Sequence, residues 1–328
     1  MKYAKDTRPK GVANKAAEVL VEALPWIKNI TGKTVVIKYG GSAMVDEQLR
    51  ADVMNDIVLL KIVGVNPVIV HGGGKAITEA MDFLQLPVEF KDGQRVTTPE
   101  AMDLVRTVLM GKVNQELVEA LNEHGNFAVG VSGADAGVIV AEQASPELGR
   151  VGRITRINSP LLDDLVAGDY IPVVASVALG EDGGFYNVNA DMVAGHIAAA
   201  IGAHKVVFLT DVDGLYENFE NKDSLISNLT LFEAQYMVEN NIVSTGMIPK
   251  LKSCIHALDS GVFRAHIING ITPHSLLLEL LTSTGVGTTM HSTEESCTFD
   301  THPLGNFASK LLENRQHAAS ATPNNTIF

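Results

Sequence analysis

VVIKYGG at 35–41 and PVIVHGGG at 67–74 are two β-branched runs that each end abruptly in glycine. A short apolar run closed by Gly-Gly reads as a buried strand that delivers bare backbone N–H groups to its C-terminal edge. With no Cβ in the way, an anion can approach that main chain closely. Two such turns about thirty residues apart, with Lys38 beside the first, point to a crevice that handles phosphate.

The pattern of strand, turn and helix continues outward from this pair. Strand 34–39 leads to a helix over 46–63, strand 67–71, a helix near 75–86 and a longer helix over about 100–124. Strands follow around 126–131, 137–142 and 150–157, and IPVVASVAL at 171–179 reads as one more buried strand. GEDGG at 180–184 has the composition of a hairpin tip. A helix over 190–201, the strand and turn KVVFLTDVDG at 205–214, and helices near 230–241 and 249–260 come next. Strand 265–269, helix 274–282 and strand 286–290 complete the series. Alternation of this kind predicts a mostly parallel sheet with helices on both faces. Sites in such sheets lie outside the C-terminal strand ends, where both glycine turns and TDVDG fall.

Composition narrows the function. The chain has 328 residues, 46% hydrophobic and 19% charged, enough to bury a large core. A net charge of −13 argues against nonspecific nucleic-acid binding. The absence of an apolar run of about 18 residues argues against a membrane span, and the basic N-terminus lacks an apolar signal core, so a cytoplasmic location is expected. Cys254 and Cys297 have no metal-site spacing and read as reduced thiols. From Val12 to Ile30 apolar residues recur at helical spacing, at Val12, Ala16, Val19, Ala23 and Ile27, and Pro25 is expected to kink or end that helix. The helix either folds back on its own domain or exchanges with another subunit. After Met290 the periodicity fades, which predicts a poorly ordered tail with one short helix around 306–315.

Standard phosphate and hydrolase signatures are missing. Gly32-Lys33-Thr34 resembles the end of a P-loop, but Ile27 stands where the first glycine is needed. Neither turn fits GxGxxG. HGGG also occurs in esterase oxyanion loops, but the nearest nucleophile-elbow match, GVSGA at 130–134, ends in Ala134. What remains is Lys38, NVNAD at 187–191 and TGMIPK at 245–250. Lysines on two sides of a transferring phosphoryl group would neutralise charge as it moves. Asp191 opens a helix, where it is either a simple cap or the group that holds the lysines. Arg95, in GQRVTTPE, suits bidentate capture of a carboxylate, or is a surface loop residue.

Taken in order, IKYGG at 37–41, VHGGG at 70–74, GQRVTTPE at 93–100, NVNAD at 187–191, LTDVDGLY at 209–216, GMIPK at 246–250 and HSLLLELLTSTGVGT at 274–288 resemble the acetylglutamate kinases of the amino acid kinase family. The resemblance covers about residues 12–290. It implies a three-layer αβα sandwich with a mostly parallel central sheet, plus the kinked N-terminal helix. It also implies ATP- and Mg²⁺-dependent phosphorylation of the γ-carboxylate of N-acetyl-L-glutamate, with the metal held mainly by ATP phosphates. On this resemblance Lys38 and Lys250 stabilise the transition state and Asp191 orients them. Gly73, Gly74, Arg95 and Asn187 hold acetylglutamate. Gly40, Gly41, Thr210, Asp211, Gly214, Tyr216 and Met247 serve phosphate and nucleotide.

The implied division is an oligomerisation helix at 1–30, an acetylglutamate-binding and dimerisation domain at 31–203, an ATP-binding domain at 204–290 and the tail at 291–328. The N-terminal segment resembles the arm of arginine-inhibited members, which joins dimers into a trimer of dimers. Lys205, His266, Glu279 and Gly285 match the positions where L-arginine binds as inhibitor. Two other readings remain open: a kinase of the same family acting on glutamate, aspartate, carbamate or UMP, and a catalytically silent amino-acid sensor.

Overall fold

The computed structural model describes residues 10–292, apart from positions 45, 92, 219 and 284. The short helix expected around 306–315 and Cys297 lie outside the described residues. The chain opens with helix α1 (Lys10–Ile30), strand β1 (Thr34–Tyr39), α2 (Glu47–Ile62), β2 (Asn66–His71) and α3 (Gly74–Phe83). A hairpin of β3 (Phe90–Lys91) and β4 (Gln94–Arg95) precedes α4 (Pro99–Val108), a π-helical turn (Leu109–Asn114) and α5 (Gln115–Asn122). Strands β5 (Ala128–Ser132), β6 (Ile139–Gln143) and β7 (Gly152–Ile157) lead to α6 (Pro160–Ala167). Then come β8 (Ile171–Ala175), β9 (Val177–Gly180), β10 (Phe185–Asn187) and α7 (Ala190–Ala200). The second half holds β11 (Lys205–Thr210), β12 (Leu215–Tyr216), β13 (Leu225–Ile226), β14 (Asn228–Thr230), α8 (Leu231–Glu239) and α9 (Ile248–Asp259). It closes with β15 (Arg264–Asn269), α10 (Ser275–Leu281) and β16 (Thr288–His291).

Eight strands form the main sheet in the order β14-β16-β15-β11-β1-β2-β8-β5. All neighbours pair in parallel except β15 with β16. Central parallel strands are covered on both faces, which is why their sequences are almost wholly apolar. Residue alternation splits the core in two. Val35, Ile37 and Tyr39 of β1 face the layer of α2, α4, α5 and α10, whereas Val36 faces that of α7, α8 and α9. Lys38, two residues after Val36, therefore points to the α7–α9 side. From β1 the chain moves outward to β2 and later returns to β11 on the other flank. The crevice at the C-terminal ends of β1 and β11 is thus a topological switch point, where open α/β sheets bind ligands.

Helix α1 runs through Pro25 to Ile30, so of the two alternatives at Pro25 the helix does not end there. Two sequence expectations change. The stretch 171–179 is two strands in different sheets: the chain leaves the main sheet at Ser176, whose N–H donates to His71 O. The second sheet, in the order β10-β9-β6-β7, takes in the segments expected at 137–142 and 150–157. Finally, the helix expected over 100–124 contains the π turn at Leu109–Asn114.

Helix α7 is capped by Asn189, whose side chain accepts from the N–H groups of Asp191 and Met192. It packs on α9 at very short range. A Cβ at Gly195 would stand 2.3 Å from Ser253 Oγ and 2.6 Å from its carbonyl oxygen, so only glycine fits there. Ser253 Oγ in turn donates to Asp191 O at 2.5 Å.

Candidate active site

Lys38, Asp191 and Lys250 come from β1, the first turn of α7 and the first turn of α9. They meet as one ionic cluster. Lys38 Nζ lies 3.0 Å from Asp191 Oδ1, and Lys250 Nζ donates to Asp191 Oδ2 at 3.0 Å. The side chains are 11%, 8% and 16% exposed for Lys38, Asp191 and Lys250. Burial alone would raise the Asp191 pKa; the two ammonium groups outweigh it and hold the carboxyl below its ordinary value. One carboxylate between two cations leaves a net positive cluster at the crevice mouth, suited to an anion with more charge than Asp191 can supply.

The first glycine turn wraps this cluster. A Cβ at Gly40 would stand 2.6 Å from Lys38 Nζ, so the lysine tip folds back over the bare main chain. Gly41 has φ +73°, a conformation natural to glycine, and open space where its Cβ would be. Gly74 also has open space at that position. Its residue begins α3, whose first N–H groups have no helical acceptor and attract negative charge.

Arg95 is buried beside that helix start. Its Nη2 donates to Gly74 O at 2.9 Å and Thr78 Oγ1 at 2.7 Å, and its guanidinium lies over the Phe90 ring. Thr97 Oγ1 donates to Arg95 O and accepts from Asn187 Nδ2 at 3.4 Å, so Asn187 is joined to Arg95 through Thr97. The structure therefore brings Gly74, Arg95 and Asn187, with Gly73 next in the chain, into one neighbourhood.

The expected nucleotide residues lie at the end of β11 and beyond. Thr210 Oγ1 donates to Asp211 Oδ1 at 3.2 Å. Tyr216 OH and Asn269 Nδ2 both donate to Asp213, holding its carboxyl below the usual range. Gly214 admits Thr288 Oγ1 to within 2.5 Å of where its Cβ would be. Met247 is the N-cap of α9, three residues before Lys250.

Lys205, His266 and Glu279 are buried, with half-buried Gly285 beside them; Lys205 opens β11 and His266 lies within β15. His266 Nδ1 and Glu279 Oε1 are 2.7 Å apart, and Thr289 Oγ1 donates to the same oxygen at 2.9 Å. Glu279 Oε2 accepts from the N–H groups of Val286 at 2.7 Å and Gly287 at 3.2 Å, and Gly285 leaves room for it. Burial would raise the Glu279 pKa, but His266 and these donors pull it down to about 2. Burial and the repulsion of Arg264 lower Lys205 to about 8, against the attraction of Glu279.

Two polar residues behind the glycine turns escape sequence reasoning. His71, the last residue of β2, has its Nδ1 2.9 Å from Gly72 O and its Nε2 3.0 Å from Asn114 Nδ2. Both are fully buried. The histidine was visible within VHGGG, but nothing in the sequence marks Asn114, 43 residues away, as its partner.

The model of the amino acid kinase family matches residues 33–269. Acetylglutamate kinase of Caldanaerobacter subterraneus subsp. tengcongensis is 51% identical over 274 residues, covering 83% of this chain and 92% of that protein. Acetylglutamate kinase of Halothermothrix orenii is 48% identical, covering 83% and 96%. Among solved structures, N-acetylglutamate synthase from Neisseria gonorrhoeae, complexed with coenzyme A and N-acetyl-glutamate, superposes with a TM-score of 0.74 at 23% identity. That match covers 84% of this chain and 63% of the synthase, and it speaks to the fold alone.

Proposed function

The chain belongs to the amino acid kinase family and, within it, to the acetylglutamate kinases, and from that premise we infer the chemistry of the crevice. The protein is a phosphotransferase of arginine biosynthesis that uses ATP to phosphorylate the γ-carboxylate of N-acetyl-L-glutamate. A carboxylate oxygen attacks the γ-phosphorus of ATP, the bond to the bridging oxygen breaks, and ADP leaves with N-acetyl-L-glutamyl 5-phosphate as product. The acceptor is already ionised, so no general base is needed. Catalysis reduces to in-line positioning and charge neutralisation.

The observation that carries the assignment of roles is the bridging of Lys38 and Lys250 by the two oxygens of Asp191. In our reading each lysine attends one side of the migrating phosphoryl group, and Asp191 keeps their ammonium groups spaced and pointed into the crevice. Gly40 and Gly41 offer backbone N–H groups to phosphoryl oxygens; the open Cβ position at Gly41 fits a polyphosphate there. Arg95 binds the α-carboxylate of acetylglutamate, while Gly73, Gly74 and Asn187 complete its seat. The nucleotide lies along Thr210, Asp211, Gly214, Tyr216 and Met247. Mg²⁺, held mainly through the ATP phosphates, would supply further charge neutralisation.

We also read the Glu279 group as the seat of arginine inhibition, with α1 as the arm that joins dimers into a hexamer. An ionised carboxylate buried beside Lys205 and His266 is suited to a ligand with both a cationic and an anionic end. Among the described residues no helix is long and apolar enough to cross a membrane, and a cytoplasmic enzyme fits this reading. A coupled ADP-release assay tests the function: acetylglutamate should support turnover and free glutamate should not. Equal rates with the two acceptors would overturn the substrate assignment. Deleting residues 1–27 should leave dimers insensitive to arginine; hexamers surviving that truncation would refute the arm.

A further inference from the structure

The π turn Leu109–Asn114 backs the second glycine turn at two points. Leu109 Cδ2 and Val113 Cγ2 lie 2.6 and 3.2 Å from where a Cβ at Gly73 would be, so the apolar side of the turn presses on Gly73. The polar side reaches Gly72 through a relay. Gly72 O can only accept, so the His71 nitrogen facing it, Nδ1, must carry the proton. The other nitrogen, Nε2, then accepts from Asn114 Nδ2, whose remaining hydrogen goes to Val173 O at 2.8 Å. Gly130 makes room for this amide: a Cβ there would stand 2.1 Å from Asn114 Oδ1. A histidine facing one acceptor and one donor has a single neutral tautomer that satisfies both, and burial keeps the ring neutral by lowering its pKa to about 4.

The consequence lies in the peptide plane. In a trans peptide the C=O and the following N–H point in opposite directions. Turning the Gly72 carbonyl inward to His71 therefore turns the Gly73 N–H outward, to the crevice. π turns within helices recur at functional sites because they re-aim side chains in this way. We propose that His71 and Asn114 are positioning residues: Asn114 fixes the imidazole as its Nδ1–H form, which holds the Gly72 carbonyl and so aims the Gly73 N–H at the carboxylate acceptor. The proposal rests on the acetylglutamate reading for the identity of that acceptor, but not for the relay itself.

Two amides of different reach separate this role from mere packing. In His71→Asn the side-chain amide nitrogen takes the place of Nδ1 and still donates to Gly72 O. In His71→Gln the amide sits at the place of Nε2, keeping Asn114 company and losing Gly72. His71→Asn should keep the KM for acetylglutamate within about threefold, whereas His71→Gln should raise it tenfold or more, the scale of one charge-assisted hydrogen bond. The KM for ATP should move less than threefold in both. Equal acetylglutamate KM values in the two variants would overturn the proposal. If His71→Gln does not fold, Asn114→Leu replaces it, since it removes the donor to Nε2 at nearly constant shape and should raise the same KM. Independently of substrate, ¹⁵N NMR of histidine-labelled wild type, assigned by the resonance lost in His71→Asn, should show Nδ1–H. An Nε2–H signal refutes the relay even in a fully active enzyme, and a protein that fails to turn over acetylglutamate yet shows Nδ1–H refutes only the substrate reading.

Discussion

Replacing Asp191 with asparagine keeps the shape of the cluster and removes its only anion. The two ammonium groups now face each other across a neutral amide. They lie roughly 6 Å apart, and at an effective dielectric of ~20 unit charges at that spacing repel by about 3 kcal/mol. Removing one partner of a buried ion pair costs about 3–5 kcal/mol. Both lysine side chains retain some exposure, so water relieves part of this, and a net loss of about 2–3 kcal/mol is expected. For a chain of this size that lowers Tm by roughly 5–10 °C. Turnover should fall about 10²–10³-fold, as when a preorganised electrostatic group is lost. A second signature follows from the sign of the charge. ATP brings the anion that the variant lacks, so it should raise the Tm of Asp191→Asn more than that of wild type. Thermal melts with and without nucleotide, beside an ADP-release assay, measure both. Turnover within threefold of wild type, together with an equal nucleotide-induced Tm shift, would refute the reasoning.

Gly40→Ala places a methyl 2.6 Å from Lys38 Nζ but against no backbone, so the lysine tip moves and the fold does not; turnover should drop at least tenfold while stability stays within about 0.5 kcal/mol, read by kinetics and melting. Arg95→Ala should raise the acetylglutamate KM by about 10–100-fold with kcat changed only a few-fold, because a carboxylate clamp binds ground and transition states alike. Glu279 has a folded pKa of about 2, below the ordinary carboxyl value. Its contribution is complete above the unfolded pKa and fades as pH falls toward the folded one. Wild type should therefore lose about 2 kcal/mol from this group between pH 6 and pH ~3, and Glu279→Gln should lack that share of the loss in urea titrations at the two pH values.

The central strands were legible because parallel strands covered on both faces have no polar side to dilute the β-branched run, as in TVVIKY and NPVIVH. The break within 171–179 was not, because a lone serine between apolar residues, with no Gly or Pro beside it, is too weak a turn signal to mark a change of sheet. The chain changes sheets there through its bond to His71, a partner more than a hundred positions away. The π turn is silent for a similar reason: an extra residue in a helical turn leaves the apolar spacing of LMGKVN nearly intact. The motifs marked Lys38, Asp191 and Lys250, and the structure joins them in one cluster. Asn114 carried no such mark, since a lone asparagine in a helix looks the same whether it meets water or the back of a glycine turn.

The contact of Gly195 with Ser253 has a bearing on how this enzyme can vary. Asp191 and Lys250 stand one turn from that contact on helices that touch backbone to backbone, so they travel as one rigid plate. Any breathing of the crevice must part Lys38 from that plate, never one member of the plate from the other. In evolution the same contact ties two codons together. Position 195 stays at its smallest side chain as long as α9 keeps its place, and a descendant that enlarged it would forfeit the spacing of its charges long before it lost its shape.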